Sequence, residues 1–304
     1  MICAGSKLII WPFAVGDVII PDGVTEIGDY AFKGCTGLTE VDMTWADATE
    51  IREGTFKNCS GMETVKLPKT LIKIDQGTFE NCNSLPYIYI PTEVEIIGSW
   101  SFKGCTGLVE ADMTWADATK IREGAFKNCS SLTTIHLPTN IQVFGDSCFY
   151  GIGATSFTVP ETVTSVEAWC FARAYSLKSI TFQGDAPTIG EGAFNKIALT
   201  AYYDGGNTTW TASIMQNYGG TVTWLPYEVL PFTDVPVNTF YYAPVDWAVD
   251  NGITNGATTT AFDPNGQCQR GQIVTFLWRA AGCPVVEAEN PFTDVKETDF
   301  YYDA

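Results

Sequence analysis

Long apolar runs are missing. No stretch approaches the ~20 residues that a membrane-spanning helix needs, so no membrane span is expected. Positive charge is scarce as well: 17 Lys and Arg stand against 35 Asp and Glu, for a net charge of −18. The cations are scattered, and a surface this acidic repels nucleic acid and anionic lipid, which excludes both as partners. His136 is the only histidine, and no CxxC occurs. Metal sites need clustered Cys and His, so neither a metal nor another cofactor is expected. With no Ser or Cys nucleophile beside His136, a catalytic triad finds no support. The N-terminus carries one Lys, an interrupting Pro12 and no clear small-residue cleavage site, so it does not read as a signal peptide.

What is present is repetition. Hydrophobic residues make up 45% and charged residues 17% of the 304-residue chain, enough to bury a core. Residues 32–60 recur at 102–130 with four differences in 29 positions. Aligning the chain on one phenylalanine gives Phe32, Phe56, Phe79, Phe102, Phe126, Phe149, Phe171 and Phe194, spaced 22 to 24 residues apart. Eight units of this length form a solenoid period. The 70-residue shift equals three units, and a solenoid tolerates such a duplication because each unit touches only its neighbours.

Each position in the unit has a task. A small residue precedes the Phe, from Ala31 to Ala193, and Cys35, Cys59, Cys82, Cys105 and Cys129 follow it by three. That spacing sets the three side chains on one side of a short helical turn. Gly or Asn two after the Phe ends the turn in a left-handed conformation, with Arg173 and Lys196 breaking the pattern. Segments such as EVDM, TVKL, YIYI, EADM and TIHL alternate and read as short strands, often stopped by the Pro that follows. The DMTWADAT loop is one residue longer than its equivalents, which should push Trp45 and Trp115 outward.

The consensus I-G-x-x-A-F-x-G-C-x-x-L-x-x-V-x-I-P, recurring over roughly residues 8–225, resembles the bacterial surface leucine-rich repeats of BspA type. The resemblance implies a right-handed solenoid with a parallel sheet on its concave face, and a role in adhesion or in binding host or matrix components. Because Ile or Ala fills the cysteine column in other units, these thiols are expected to be buried and free. A strand pair should cap the N-terminal end. TAYYDGGNTTWTASIMQNYGGTVTWLP reads as strand, helix and strand at the other.

A boundary falls near Leu230. Beyond it, helical patterns at Ala243–Asn251 and Arg270–Ala281 flank a loop rich in Gly, Asn and Pro. Phe232, Asp234, Val235, Val245, Gly252, Ile253, Gly256, Phe262, Pro264 and Arg270 match the pattern of an S-layer homology (SLH) module. That resemblance implies a small, mostly α-helical module that binds cell-wall polysaccharide, with Arg270 contacting the acidic sugar. The motif reads Gln269-Arg270-Gly271-Gln272, without the usual acidic member. The expected organisation is residues 1–229 as the leucine-rich repeat solenoid, 230–285 as an SLH module, and 286–304 as the start of a second, truncated copy. A chain ending there reads as a fragment.

The candidate ligand-binding residues are the outward strand positions and the rim tryptophans: Glu40, Asp42, Trp45, Lys66, Tyr87, Tyr89, Glu110, Asp112, Trp115 and His136. Aromatics concentrate at interaction hot spots, although Tyr pairs also simply favour strands. The carboxylate pairs could act as acid and base in glycoside hydrolysis, but nothing separates their pKa values, so no enzyme is expected. The resulting expectation is a non-enzymatic protein at the bacterial cell surface or wall. It would bind a protein or glycan through the solenoid and wall polysaccharide through the SLH region. Alternatives are a glycan-capture module and a purely structural surface-layer component.

Overall fold

The computed structural model describes residues 2–227, 230, 232–235, 242–268 and 270–282, apart from the side chains of residues 2–4, 242, 243, 250, 270, 271 and 274. The chain divides into two compact units, Met1–Tyr227 and Glu228–Ala304.

Strands of the first unit alternate between two sides of a coil. They begin with β1 (Ile2–Ala4), β2 (Lys7–Ile10), β3 (Gly16–Ile19), β4 (Glu26–Ile27), β5 (Leu38–Asp42), β6 (Glu50–Ile51), β7 (Thr64–Lys66), β8 (Lys73–Ile74), β9 (Tyr87–Tyr89) and β10 (Ile96–Ile97). They continue with β11 (Glu110–Asp112), β12 (Lys120–Ile121), β13 (Thr134–His136), β14 (Val143–Phe144), β15 (Ser156–Val159), β16 (Ser165–Val166), β17 (Ser179–Phe182), β18 (Thr188–Ile189), β19 (Ala198–Asp204) and β20 (Thr221–Tyr227). The even-numbered strands from β2 to β18 stack in parallel, and β1 adds an antiparallel edge, giving a ten-stranded sheet. The other side carries three parallel sheets, ordered β3-β5-β7, β9-β11-β13 and β15-β17-β19-β20. Alternation sets their faces: Ile88 is buried between exposed Tyr87 and Tyr89, and Ala111 between Glu110 and Asp112. Where Pro follows a strand its carbonyl closes the next turn, as Pro91 does with the Val94 amide at 3.2 Å.

The core is a column of rings. All eight repeat phenylalanines are fully buried, and successive centroids lie 5.1 to 6.2 Å apart with planes within 20° of parallel. Such offset stacks add ~0.5–1.5 kcal/mol per pair beyond the area they bury. Trp11 ends the column on Phe32, and Tyr218 ends it edge-on against Phe194.

The cysteine column does more than fill space. Each Sγ donates to the backbone carbonyl one coil back, from Cys59 to Phe32 at 3.0 Å through Cys129 to Phe102 at 3.1 Å. Among the described side chains eight cysteines are free, seven buried and only Cys268 exposed; Cys3 and Cys283 lie outside them. Burial pushes the Cys59 and Cys105 thiols up to about 12. Cys148 and Cys170, in the small-residue column, approach to 3.5 Å between sulfurs.

The short helical turn expected around each Phe is replaced by separate tight turns, such as Lys33 N to Tyr30 O and Cys35 N to Phe32 O, both 3.0 Å. Two left-handed residues per coil prevent a helix from closing. The one after the Phe was expected, and it persists in Arg173 at φ 55° and Lys196 at φ 62° despite their side chains. The one two before the Phe was not expected. It holds glycine in four coils, Ser147 in one, and aromatics in the rest, at Tyr30, Trp100 and Trp169. Glycine is required opposite these rings: a Cβ on Gly124 would stand 2.2 Å from Trp100 Cδ1.

At the C-terminal end the expected helix does not form. Residues 205–220 make isolated turns between β19 and β20, which pair in parallel. The segment is rich in Thr, and the Asn207 side chain accepts hydrogen bonds from the Thr209 amide and hydroxyl, a local alternative to helix. Trp210 is buried and lies 5.0 Å from Phe182, so it serves the cap core.

The second unit holds α1 (Tyr242–Asp250) and α2 (Arg270–Ala280). Leu230, Phe232, Val235 and Val245 form its small core, with Val249 and Phe262 packed against it.

Candidate functional site

The outward residues of the strand ladder fall into two groups. In the first, register places Glu40 opposite Thr64 and Asp42 opposite Lys66. Lys66 Nζ then reaches both carboxylates, at 2.7 Å to Glu40 Oε1 and 3.1 Å to Asp42 Oδ2. Hydrogen bonds from Thr44, and then the Lys66 ammonium, hold the Asp42 carboxyl below its ordinary value. Glu40 and Asp42 in turn raise Lys66.

The second group spans β9, β11 and β13. Register sets Tyr87 and Thr134 on either side of Glu110, and Tyr89 and His136 on either side of Asp112. His136 Nε2 stands 3.5 Å from Glu110 Oε1. Asp112 Oδ1 accepts from the Thr114 amide at 3.0 Å and the Thr114 hydroxyl at 2.7 Å. Burial alone would raise the Asp112 carboxyl, but these bonds and the nearby His136 bring it below the ordinary value. Partial burial, together with the charges of Asp112 and Glu110, raises the Tyr87 hydroxyl.

Trp45 and Trp115 project from the turns that follow β5 and β11, 70% and 65% exposed. The structure therefore brings together Glu40, Asp42 and Lys66, and separately Tyr87, Tyr89, Glu110, Asp112 and His136. Thr44 and Thr114 escaped the sequence reading, although the Asp-Met-Thr spacing of an Asx-type turn would have found them. The pairing of Lys66 with His136 across the duplication also escaped it, and the 70-residue offset carries that signal. Among the described residues, no group of three or more His, Cys, Asp or Glu could hold a metal ion. No helix there is long and apolar enough to cross a membrane.

In the second unit the F-x-D-V segment ties two stretches together. Asp234 accepts from the Phe262 amide at 2.8 Å and the Asp263 amide at 2.7 Å, and these donors keep its carboxyl below the ordinary value. Phe232 packs 5.7 Å from Phe262. Gly256 takes φ 82°, and any Cβ there would strike the Phe232 ring. Arg270 opens α2, but its side chain lies outside the described residues, as do residues 283–304.

A coil of about 23 residues with one stacked ring and two short parallel strands defines a leucine-rich repeat solenoid. A model of the BspA type leucine rich repeat region matches residues 14–115 and 109–213, and the chain belongs to that family. Solved structures similar to it include a leucine-rich repeat protein from Bacteroides ovatus ATCC 8483, 22% identical, covering 72% of this chain and 71% of that one, at a TM-score of 0.38. The T. pallidum leucine rich repeat protein is 22% identical, covering 48% of this chain and 77% of that one, at 0.33. A leucine rich cell surface protein from Faecalibacterium prausnitzii A2-165 is 19% identical, covering 69% and 79%, at 0.27. No curated protein matches the chain.

Proposed function

We propose that this is a non-enzymatic protein of the bacterial cell surface whose solenoid binds a macromolecular ligand through its outward strand face. Within its second unit, residues 230–285 would tether it to wall polysaccharide as an SLH module, with 286–304 beginning another copy. The observation that carries the binding-face reading is the exposed pair Tyr87 and Tyr89, 44% and 41% accessible, registered beside Glu110 and Asp112. Aromatic and charged groups held on a stacked core form a preorganised surface, which lowers the entropic cost of binding. For the tether, support comes from the F-x-D-V and F-x-P segments meeting through Asp234 and Phe232. A second reading, capture of a glycan, draws on the exposed Trp45 and Trp115 rings, which offer flat faces to sugars.

One array of proteins, neutral glycans and purified wall polysaccharides tests these readings. The full chain should bind, the Tyr87→Ala/Tyr89→Ala double variant should lose its protein hits, and Arg270→Ala should lose only the wall polysaccharides. Glycan hits that depend on Trp45 and Trp115 would favour the second reading. An array with no hits would leave only a structural role.

A further inference from the structure

Resting on the binding-face reading above, we infer that the β9–β11–β13 face docks a cationic polypeptide segment, with a lysine or arginine head group seated between Glu110 and Asp112. The duplicated block supplies the template. In its first copy the carboxylate pair already holds an ammonium, Lys66 Nζ, at 2.7 and 3.1 Å from the two side chains. The second copy presents the same pair, Glu110 and Asp112, on the same strand face. Register puts His136 where Lys66 stands, opposite Asp112 as Lys66 is opposite Asp42. His136 reaches only Glu110, at 3.5 Å, and among the described residues no lysine or arginine comes within ion-pair distance of either carboxylate. The first cradle is filled from within; the second is open.

What flanks the open cradle fits the same partner. Tyr87 and Tyr89 lie alongside on β9, exposed enough to pack against lysine methylenes or to stack under a guanidinium. The first copy has Asp17 and Ile19 at the corresponding positions instead. The surrounding field agrees, since a chain of net charge −18 steers cations toward itself and repels anionic polymers. A neutral sugar would leave two like charges on one strand uncompensated, so the pair favours a cation over a glycan.

The test uses the full chain and a fluorophore-labelled hexalysine peptide, read by anisotropy at about 0.1 M salt, where exposed charges more than ~10 Å apart are largely screened. Because an acidic protein attracts oligolysine everywhere, a charge control is needed. Ser179→Lys adds the same charge on β17, in a separate sheet three coils from β11 and therefore ~14 Å away at one strand spacing per coil. His136→Lys should close the second cradle and weaken binding about fivefold, the scale of one exposed ion pair. Ser179→Lys should weaken it by less than about twofold. Glu110→Gln/Asp112→Asn should match His136→Lys. Equal effects of the two lysine variants, no binding by the parent chain, or displacement of hexalysine by a neutral glucan oligosaccharide would each overturn the cationic partner. Array ligands that depend on Tyr87 and Tyr89 but ignore His136→Lys would overturn this partner class while leaving the binding face standing.

Discussion

Arg173 and Lys196 show at residue scale how far a repeat overrides a side chain. Both sit where other coils use Gly or Asn, and both keep the left-handed backbone, at φ 55° and 62°. In the sequence they look like breaks in the pattern. In the structure they are strained followers of it, because the neighbouring coils fix the amide positions: Lys196 N donates to Gly219 O at 3.2 Å. A left-handed L-residue costs ~1–2 kcal/mol, partly offset by the greater chain entropy that glycine loses on folding. Lys196→Gly should therefore raise unfolding free energy by about 0.5–1 kcal/mol, read as a higher urea midpoint with unchanged slope. An unchanged or lower midpoint would mean that this backbone costs lysine nothing. The aromatic left-handed column stayed hidden for the same reason: Tyr30, Trp100 and Trp169 are residues that sequence rules keep out of that region.

At the scale of elements, visibility follows period. The Phe column and the outward strands were legible because their spacings repeat and because alternation over three or four residues marks a face. The second ladder was not, since its even-numbered strands β4 to β18 have two residues each, and two residues display no period. The expected cap helix failed because the Asn207 side chain satisfied the Thr209 amide and hydroxyl locally. Within the candidate site, Tyr87, Tyr89, Glu110 and Asp112 were readable as outward positions. The contrast between a filled and an open cradle needed the cross-strand register. The ring column itself makes a sharp prediction. Phe102 stacks on Phe79 at 5.3 Å and Phe126 at 5.1 Å, so Phe102→Ala removes two stacks and leaves a cavity. A loss of about 3–5 kcal/mol is expected in chemical unfolding. A loss under about 1 kcal/mol would show the coils collapsing onto the hole without penalty.

Across the whole first unit, the buried thiols, Cys35, Cys59, Cys82, Cys105 and Cys129 in one column and Cys148 in the small-residue column, tie stability to alkaline pH. Burial, the largest cause in each case, raises Cys35, Cys59, Cys82, Cys105, Cys129 and Cys148 above the ordinary value, with Cys59 and Cys105 reaching about 12. A raised folded value means that the native state holds its proton after the unfolded chain has released it. The stabilising contribution is complete below the ordinary thiol value of 9.0 and is lost as pH climbs from there toward about 12. Within that window each thiol removes up to about 1.4 kcal/mol per pH unit. Because every coil rests on its neighbours, the losses should appear in one shared transition rather than as local fraying. Urea midpoints of the parent chain should fall steeply between about pH 8.5 and 10, before most lysines titrate. A Cys82→Ala/Cys105→Ala/Cys129→Ala variant should begin lower, having lost three Sγ contacts to Phe56, Phe79 and Phe102. Its midpoint should then decline more gently, so that the two curves converge with rising pH. Parallel curves would mean that these thiols are solvated on folding, and that the column does not carry the alkaline sensitivity.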